Sequence, residues 1–165
     1  MEKQKILIAD DSEMNRALLA EILKEQYDVA EAENGAEAIS LLSKQRADFS
    51  LLLLDIVMPV MDGYQAAKVI RGLERGDACH MPIIAMTANA FEEDVREAMR
   101  AGMNAHFSKP IDLDALEALL SKYLSGESGK KNGRRNKFPA PVLFKETILP
   151  VPYKNIKINL RCRKT

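Results

Sequence analysis

Short apolar runs alternate with segments of helical period along the first 125 residues of the chain. The helical segments place apolar residues three and four positions apart, which predicts helices that bury one face. Short strands that alternate with such helices are typical of βα units and of a parallel sheet. The predicted strands are KILIAD at 5–10, YDVAEA at 27–32, LLLLDI at 51–56, PIIAMT at 82–87 and AHFSK at 105–109.

The helical segments also carry start and stop signals. Asn34 with Glu37, and Asp62 with Gln65, are capping pairs three residues apart. Gly102 suits the left-handed cap that ends the segment FEEDVREAMRAG. The first helix, at about 12–25, should pack one apolar stripe against the sheet. That stripe consists of Met14, Leu18, Leu19, Ile22 and Leu23.

The run LLLLDI has no polar alternation, so both of its faces should be covered. Such a strand belongs in the centre of a parallel sheet that carries helices on both sides. Short connections and right-handed crossovers leave few arrangements of five βα units. The sequence therefore predicts an α/β fold: a three-layer, doubly wound, flavodoxin-like (βα)5 sheet with strand order 2-1-3-4-5.

Charge divides the chain into two segments, although the formal net charge of the whole is zero. Residues 1–125 hold 13 Lys and Arg against 22 Asp and Glu, a net charge of −9. Residues 126–165 hold 11 against 2, a net charge of +9, together with four of the seven prolines. We predict one domain at 1–125, since this length suffices for a well-cored domain, and a basic tail at 126–165.

Two interpretations of the tail remain open. It is either a poorly ordered or partial segment, or an arm that makes weak contact with the phosphates of nucleic acid. It shows no recognition-helix pattern. The N-terminus enters a strand-like pattern directly, and no apolar run approaches the roughly 18 residues that span a bilayer. We predict a cytoplasmic protein that does not contact the membrane.

Polar residues follow four of the predicted strands at their carboxyl ends. These ends meet at one edge of a doubly wound sheet, where the working site lies. Three clustered carboxylates repel one another unless a cation neutralises them. Mg²⁺ suits such a cluster, with Mn²⁺ as a substitute, because it prefers oxygen ligands and keeps a phosphate oxygen beside one or two carboxylates. The residues at this edge are Asp10, Asp11, Asp55, Thr87 and Lys109.

Four motifs give these residues a family context. They are ILIADDS at 6–12, LLLLDIVMPVMDGY at 51–64, MTA at 86–88 and SKP at 108–110. In type and order they resemble the receiver domain of bacterial two-component response regulators, closest to receivers attached to hybrid sensor kinases, over residues 4 to about 124. The resemblance implies a phosphoacceptor that receives a phosphoryl group from a histidine kinase or a histidine phosphotransfer protein. It does not imply an enzyme that turns over a substrate.

The resemblance also implies residue roles. Asp55 would accept the phosphoryl group and Lys109 would pair with its oxygens. Thr87 would move towards the group after transfer, and the small Ala88 would leave room for the donor. The implied magnesium ligands are Asp10, Asp11, Asp55 and the main-chain carbonyl of Val57. The implied structural residues are Pro59, Gly63 and Pro110.

One position departs from the family pattern. The residue three before the lysine is usually Tyr or Phe, which rotates after phosphorylation, and here it is His106. Phe107 should face the other side of the strand. A pH-sensitive output through His106 and a histidine that only fills the position both remain open. The implied output surface comprises the fourth predicted helix, the fifth strand and the fifth helix, which would contact a downstream protein or a second copy in a homodimer.

Two other functions share parts of this pattern. A metal-dependent phosphohydrolase that forms an aspartyl phosphate usually has a second acid two residues after the nucleophile, where this chain has Val57. A flavin or dinucleotide binder needs glycines and bare amides in the first turn, where this chain has ADDSEMN. Neither pattern is complete, so the phosphoacceptor hypothesis is favoured.

Overall fold

The computed structural model describes residues 2–44, 48–74, 76–89 and 91–125, with residues 76 and 77 described in their backbone alone. The strands are β1 (Lys5–Ala9), β2 (Asp28–Ala32), β3 (Phe49–Asp55), β4 (Ile83–Thr87) and β5 (Ala105–Ser108). The helices are α1 (Glu13–Leu23), α2 (Gly35–Ser43), α3 (Gly63–Arg71), α4 (Gly76–His80), α5 (Glu92–Arg100) and α6 (Leu113–Leu124). All strand pairs are parallel, and the strand order is β2-β1-β3-β4-β5.

The sheet separates two buried cores. Residues of α1 and α6 pack against one face, which includes Leu51 and Leu53 of β3. Residues of α2, α3, α4 and α5 pack against the other face, which includes Leu52 and Leu54. Alternate leucines of β3 therefore enter opposite cores, and all four are fully buried. This confirms the predicted three-layer, doubly wound fold and the central position of the leucine run.

The register of the central strands brings their carboxyl ends level. Ala9 pairs with Leu54, and Asp55 pairs with Met86. Asp10, which follows Ala9, therefore lies beside Asp55 at the end of the sheet. We call this end the carboxyl edge and the opposite end the amino edge.

The predicted helix caps are present. Asp62 and Gln65 form a capping box at the start of α3. The Asn34 side chain accepts a backbone N–H from the first turn of α2. Gly102, with a φ of 96°, follows α5, and its N–H donates to the Met99 carbonyl at 3.0 Å. The sequence signals therefore fix where these helices begin or end.

The predicted apolar stripe of α1 is partly wrong. Leu19 and Leu23 are buried as predicted. Met14 and Leu18 are instead 80% and 51% exposed. Only a narrow face of α1 packs against the core. The helical period of apolar residues does not reveal how wide the buried face is.

The short helix α4 was not predicted. It lies between α3 and β4, so the fourth and fifth helices of the sequence prediction are α5 and α6. The basic tail at 126–165, and with it the predicted domain boundary, lies outside the described residues, and both stay predictions. Among the described helices, none combines the length and the hydropathy of a membrane-spanning segment.

Candidate functional site

Three carboxylates meet at the carboxyl edge. Asp10 and Asp11 lie in the turn after β1, and Asp55 ends β3. One oxygen atom from each side chain lies within 4.8 Å of the other two. Asp10 and Asp55 are buried, whereas Asp11 is exposed. The structure therefore brings together the three acids that the sequence predicted.

Lys109 supplies the cation of this cluster. Its Nζ lies 2.8 Å from Asp10 Oδ2 and 3.2 Å from Asp55 Oδ2. Burial alone would lower the pKa of Lys109, but its hydrogen bond to Asp10 and the charges of Asp55 and Asp10 outweigh burial and raise it. Lys109 therefore stays charged and bridges the two buried carboxylates.

Asp55 remains poorly compensated in spite of this cation. Burial raises the pKa of Asp55, Lys109 opposes that effect, and Asp10 adds to it, so that the pKa lies above its ordinary value. The only other bond to its carboxylate among the described residues is a long one, from the Val57 N–H to Oδ1 at 3.4 Å. One ammonium thus bonds to two of the three clustered acids, which favours a second cation at the site.

The donor set fits a hard divalent cation. Mg²⁺ takes oxygen ligands at roughly 2.0–2.1 Å, so two ligands on opposite sides of one ion lie about 4 Å apart. The three carboxylate oxygens lie within 4.8 Å of one another, close enough for small side-chain shifts to bring them onto one ion, and the cluster contains no sulfur or nitrogen ligand. The exposed side at Asp11 leaves room for water and for a phosphate oxygen. The predicted share of the Val57 carbonyl in this site stays a prediction.

Gly63 lets α3 begin directly against the end of β3. Its N–H donates to the Ile56 carbonyl at 2.9 Å. An added Cβ would overlap the Asp55 carbonyl oxygen and lie 2.9 Å from Ile56 Cα. Any larger residue would have to push the Asp55 backbone away, which supports the predicted structural role of Gly63.

The loop between β3 and α3 contains a tight turn. The Pro59 carbonyl accepts the Met61 N–H at 2.7 Å, and Val60 between them has a φ of 69°. This is the geometry of a γ-turn, which is strained for a β-branched residue. After β5, the predicted structural residue Pro110 follows Lys109 through a cis peptide bond.

Thr87 ends β4, but its hydroxyl is engaged elsewhere. It donates to the Asn89 carbonyl at 2.6 Å and accepts the Asn89 N–H at 3.1 Å. In the described part of the chain, no hydrogen bond joins this hydroxyl to Asp55 or Lys109, although the Thr87 carbonyl accepts the Lys109 backbone N–H at 2.8 Å. The neighbouring Ala88 is exposed. The movement predicted for Thr87 and the access role of Ala88 therefore stay predictions.

The strand-five position that departs from the family pattern is half-buried. His106 pairs with Ala85 of β4, while Phe107 packs into the core beneath α1 and α6. The predicted alternation of the two residues is present. Both interpretations of His106 remain open.

Two polar residues of α1 that the sequence did not single out support Asp10. The Asn15 side-chain amide donates to Asp10 Oδ2 at 3.3 Å, and Arg16 Nη1 donates to the Asp10 carbonyl at 2.7 Å. Their position shortly after the acid pair was the only available signal. A helical period does not show which polar side chain turns back towards the strand.

Exposed apolar side chains lie at the same edge. Of the seven large apolar side chains that are exposed among the described residues, six belong to loops or the first two turns of helices at the carboxyl edge. Single exposed apolar residues are ordinary, but a group at one place is typical of an interaction site. We call this group the apolar rim: Met14, Leu18, Val57, Val60, Phe91 and Leu113.

The sequence matches a family model and characterised relatives. The model described as response regulator receiver domain matches residues 6–121. The chain is 38% identical over 126 residues to chemotaxis protein CheY of Halobacterium salinarum, covering 76% of this chain and 99% of that protein. It is 36% identical over 123 residues to hybrid signal transduction histidine kinase A of Dictyostelium discoideum, covering 73% of this chain but only 6% of the kinase. The chain thus spans a small part of such kinases.

Solved structures of receiver domains are also similar to this chain. The receiver domain of sensor histidine kinase PA1611 from Pseudomonas aeruginosa PAO1, with a magnesium ion in its active site cleft, matches with a TM-score of 0.67 and 31% identity, covering 74% of this chain and 98% of that one. The receiver domain of Ssk1, in complex with the histidine phosphotransfer protein Ypd1 of Saccharomyces cerevisiae, matches with a TM-score of 0.66 and 30% identity, covering 74% of this chain and 89% of that one.

The motifs predicted this family, and the strand order and the acidic edge agree with the prediction. Because the family model covers most of the described residues, the assignment does not depend on any single motif. The chain belongs to the response regulator receiver domain family of two-component phosphorelay systems.

Proposed function

We propose that this receiver domain accepts a phosphoryl group on Asp55 with Mg²⁺ as its cofactor. The observation that carries the proposal is that carboxylate oxygens of Asp10, Asp11 and Asp55 lie within 4.8 Å of one another, with the Lys109 ammonium bonded to Asp10 and Asp55. Asp10, Asp11 and Asp55, with the Val57 carbonyl, would hold the metal. When bound, the metal would neutralise charge that develops on the phosphoryl oxygens.

The chemistry is a single group transfer. A carboxylate oxygen of Asp55 attacks the phosphorus, an O–P bond forms, and the N–P bond of a phosphohistidine breaks. The histidine nitrogen keeps the electron pair of the broken bond. Water later cleaves the acyl phosphate and releases inorganic phosphate. We propose no other turnover for this domain.

Rigid placement of Asp55 supports this role. Phosphoryl transfer depends mainly on positioning and on stabilisation of charge. Asp55 follows four fully buried leucines at the end of β3, and Gly63 packs against its backbone. The ammonium of Lys109 would shift from the carboxylates towards the phosphoryl oxygens. The Thr87 hydroxyl would leave Asn89 and donate to the same group.

The apolar rim supports a protein as the phosphoryl donor. A small donor needs only the acidic site, whereas a histidine kinase or phosphotransfer protein must dock around it. The six side chains of the rim offer apolar area at this edge. We propose that the rim contacts the donor, and that the face formed by α5, β5 and α6 passes the state to a downstream protein or to a second copy in a homodimer.

Intact-mass measurement tests the phosphoacceptor. Acetyl phosphate with Mg²⁺ should add the mass of one phosphoryl group, and Asp55→Asn should abolish the addition. Asp62→Asn is the matched control, because Asp62 is an acid near the same loop that caps α3, and Asn caps equally well. Equal labelling of the unchanged protein and Asp55→Asn, or labelling without Mg²⁺, would contradict the proposal.

A further inference from the structure

One buried charged residue near the site is neither a proposed metal ligand nor a proposed contact of the phosphoryl group. Four polar or charged residues are buried among the described residues: Asp10, Arg16, Asp55 and Thr87. Three of them are the site residues predicted from the strand ends. The fourth, Arg16, is only 7% exposed, and burying a guanidinium is costly unless its N–H groups are bonded. Its contacts therefore show what it does.

Arg16 ties three segments of the carboxyl edge together. Nη1 donates to the Asp10 carbonyl at 2.7 Å. Nε lies 3.3 Å from a carboxylate oxygen of Glu31, and Nη2 lies 3.8 Å from one of Glu33. One planar guanidinium thus joins α1 to the turn after β1 and to the end of β2. A lysine has one nitrogen and could not make these contacts in three directions.

Arg16 holds Asp10 by its backbone, while other groups hold its carboxylate. The front of its carboxylate accepts the Ser12 N–H at 2.8 Å, Lys109 Nζ at 2.8 Å and the Asn15 amide at 3.3 Å. Arg16 adds the bond to the Asp10 main-chain carbonyl. Backbone and side chain of this acid are therefore both fixed, and the direction of its free lone pairs is set before any metal arrives.

We propose that Arg16 is a positioning residue that fixes the Asp10–Asp11 turn for metal binding. The proposal rests on the proposed function, because it concerns the same Mg²⁺ site. Arg16 does not touch the metal or the phosphoryl group. Residues that orient metal ligands typically change metal affinity by about 10–100-fold when removed.

A positioning role and a purely electrostatic role of Arg16 predict opposite changes in Mg²⁺ affinity when Arg16 is replaced. If the positive charge were what mattered, its removal would leave the acids more negative and Mg²⁺ would bind more tightly. If positioning matters, removal frees the turn and Mg²⁺ binds more weakly. If Arg16 only adds stability, Mg²⁺ affinity stays the same. Mg²⁺ affinity therefore separates the three cases.

The experiment compares Arg16→Met, Arg16→Lys and Arg71→Met. Arg71 is the matched control, because it is a half-buried arginine that is also bonded to main-chain carbonyls, but at the amino edge. Calorimetric titration with Mg²⁺ at fixed ionic strength gives the dissociation constant. Amide hydrogen exchange of Ser12 without metal reports on the Asp10 turn directly.

We expect Arg16→Met to raise the Mg²⁺ dissociation constant about 10-fold or more. Arg16→Lys should not restore the affinity, although it keeps the charge. Ser12 should exchange faster in both variants, and Arg71→Met should change neither quantity. Should Arg16→Met fail to fold, Glu31→Gln, which weakens the hold on Arg16 at a half-exposed position, should make Ser12 exchange faster by a smaller factor, and unchanged exchange would count against the proposal.

Several outcomes would overturn the proposal. Unchanged or tighter Mg²⁺ binding by folded Arg16→Met is one, and full restoration by lysine is another. An equal loss in Arg71→Met would show general loosening of the fold instead of positioning. If the unchanged protein itself binds no Mg²⁺, the proposed function fails and this inference fails with it. That outcome differs from a failure of the inference alone, where the unchanged protein binds normally.

Discussion

The two edges of the sheet treat buried charge in opposite ways. At the carboxyl edge, Asp10 and Asp55 share one ammonium, and burial raises the pKa of Asp55. At the amino edge, Arg71 donates to the carbonyls of Gly102, Cys79 and Met81 and to the Asn104 side chain, at 2.6–2.9 Å. Burial lowers the pKa of Arg71 to about 10, so it is still charged at neutral pH.

The difference indicates a structural role for the amino edge and a functional role for the carboxyl edge. Among the described residues, Arg71 donates only to neutral oxygens, and these bonds tie the end of α3 to the segments that lead into β4 and β5. The carboxyl edge has an excess of negative charge and a strained turn at Val60. Unrelieved charge and strain of this kind are typical of functional sites. Variants at matched positions of the two edges test this contrast.

The largest expected effect is at the two tightly packed glycines. Gly63→Ala should cost about 3 kcal/mol or more of unfolding free energy, because the added Cβ would collide with the Asp55 backbone. Gly102→Ala should cost only about 1–2 kcal/mol. There the φ is 96°, but the Cβ would meet a side-chain atom, Arg71 Cγ at 2.8 Å, and not the backbone of a buried strand. Urea unfolding measures both, and equal costs would contradict a rigid carboxyl edge.

The next effect concerns the cation at each edge. Lys109→Met should lower the unfolding free energy by about 2–3 kcal/mol without metal, because two buried carboxylates lose their shared partner. Saturating Mg²⁺ should recover much of this loss, since the ion replaces the missing charge. Arg71→Met should lose a similar amount that Mg²⁺ does not recover. Recovery in both variants, or in neither, would remove the contrast between the edges.

The acidic side of this contrast was visible in the sequence, whereas the role of Arg71 was not. The leucine run before Asp55 predicted a central strand, and the polar residues at the strand ends predicted the acidic edge. Parallel strands bring such ends together whatever the details of packing. The prediction therefore needed only the order and type of the elements.

Other features depend on packing that a linear pattern does not contain. Arg16 looks like any polar residue of an amphipathic helix, and only the structure shows it turning back to Asp10. Met14 and Leu18 share the helical period of the core yet are exposed. The short helix α4 has too few residues to show a period. These are the details that decide positioning and docking.

A smaller effect is expected at Asp55 itself. The folded protein raises the pKa of Asp55 above its ordinary value of 3.8, so ionised Asp55 opposes folding above that raised pKa. Asp55→Asn should therefore stabilise the metal-free protein at neutral pH by about 1–2 kcal/mol. Removing an unfavourable charge from a functional site commonly stabilises a protein at the cost of function. The gain should vanish below pH 3.8, where the carboxyl is protonated in both states. Thermal unfolding at several pH values, without metal, measures this.

With Mg²⁺ present, Asp55→Asn should be less stable than the unchanged protein, the reverse of the order expected without metal. The ion should stabilise the unchanged protein, and the variant, which lacks one ligand, should gain less. Asp62→Asn, at an exposed helix cap, should show neither the pH-dependent gain nor the reversal. A constant gain from Asp55→Asn at every pH would mean that charge is not its cause.

The smallest effect is expected at the strained turn. Val60 is exposed and has a φ of 69°, which a β-branched residue rarely adopts and asparagine tolerates well. Val60→Asn should therefore raise the unfolding free energy by about 1 kcal/mol or less, because the strain is relieved. It should also slow phosphoryl uptake from a protein donor while leaving uptake from acetyl phosphate unchanged, since it removes one apolar side chain from the rim. Urea unfolding and the two uptake rates measure these effects. A loss of stability, or equal slowing with both donors, would mean that Val60 serves the site in some way other than docking.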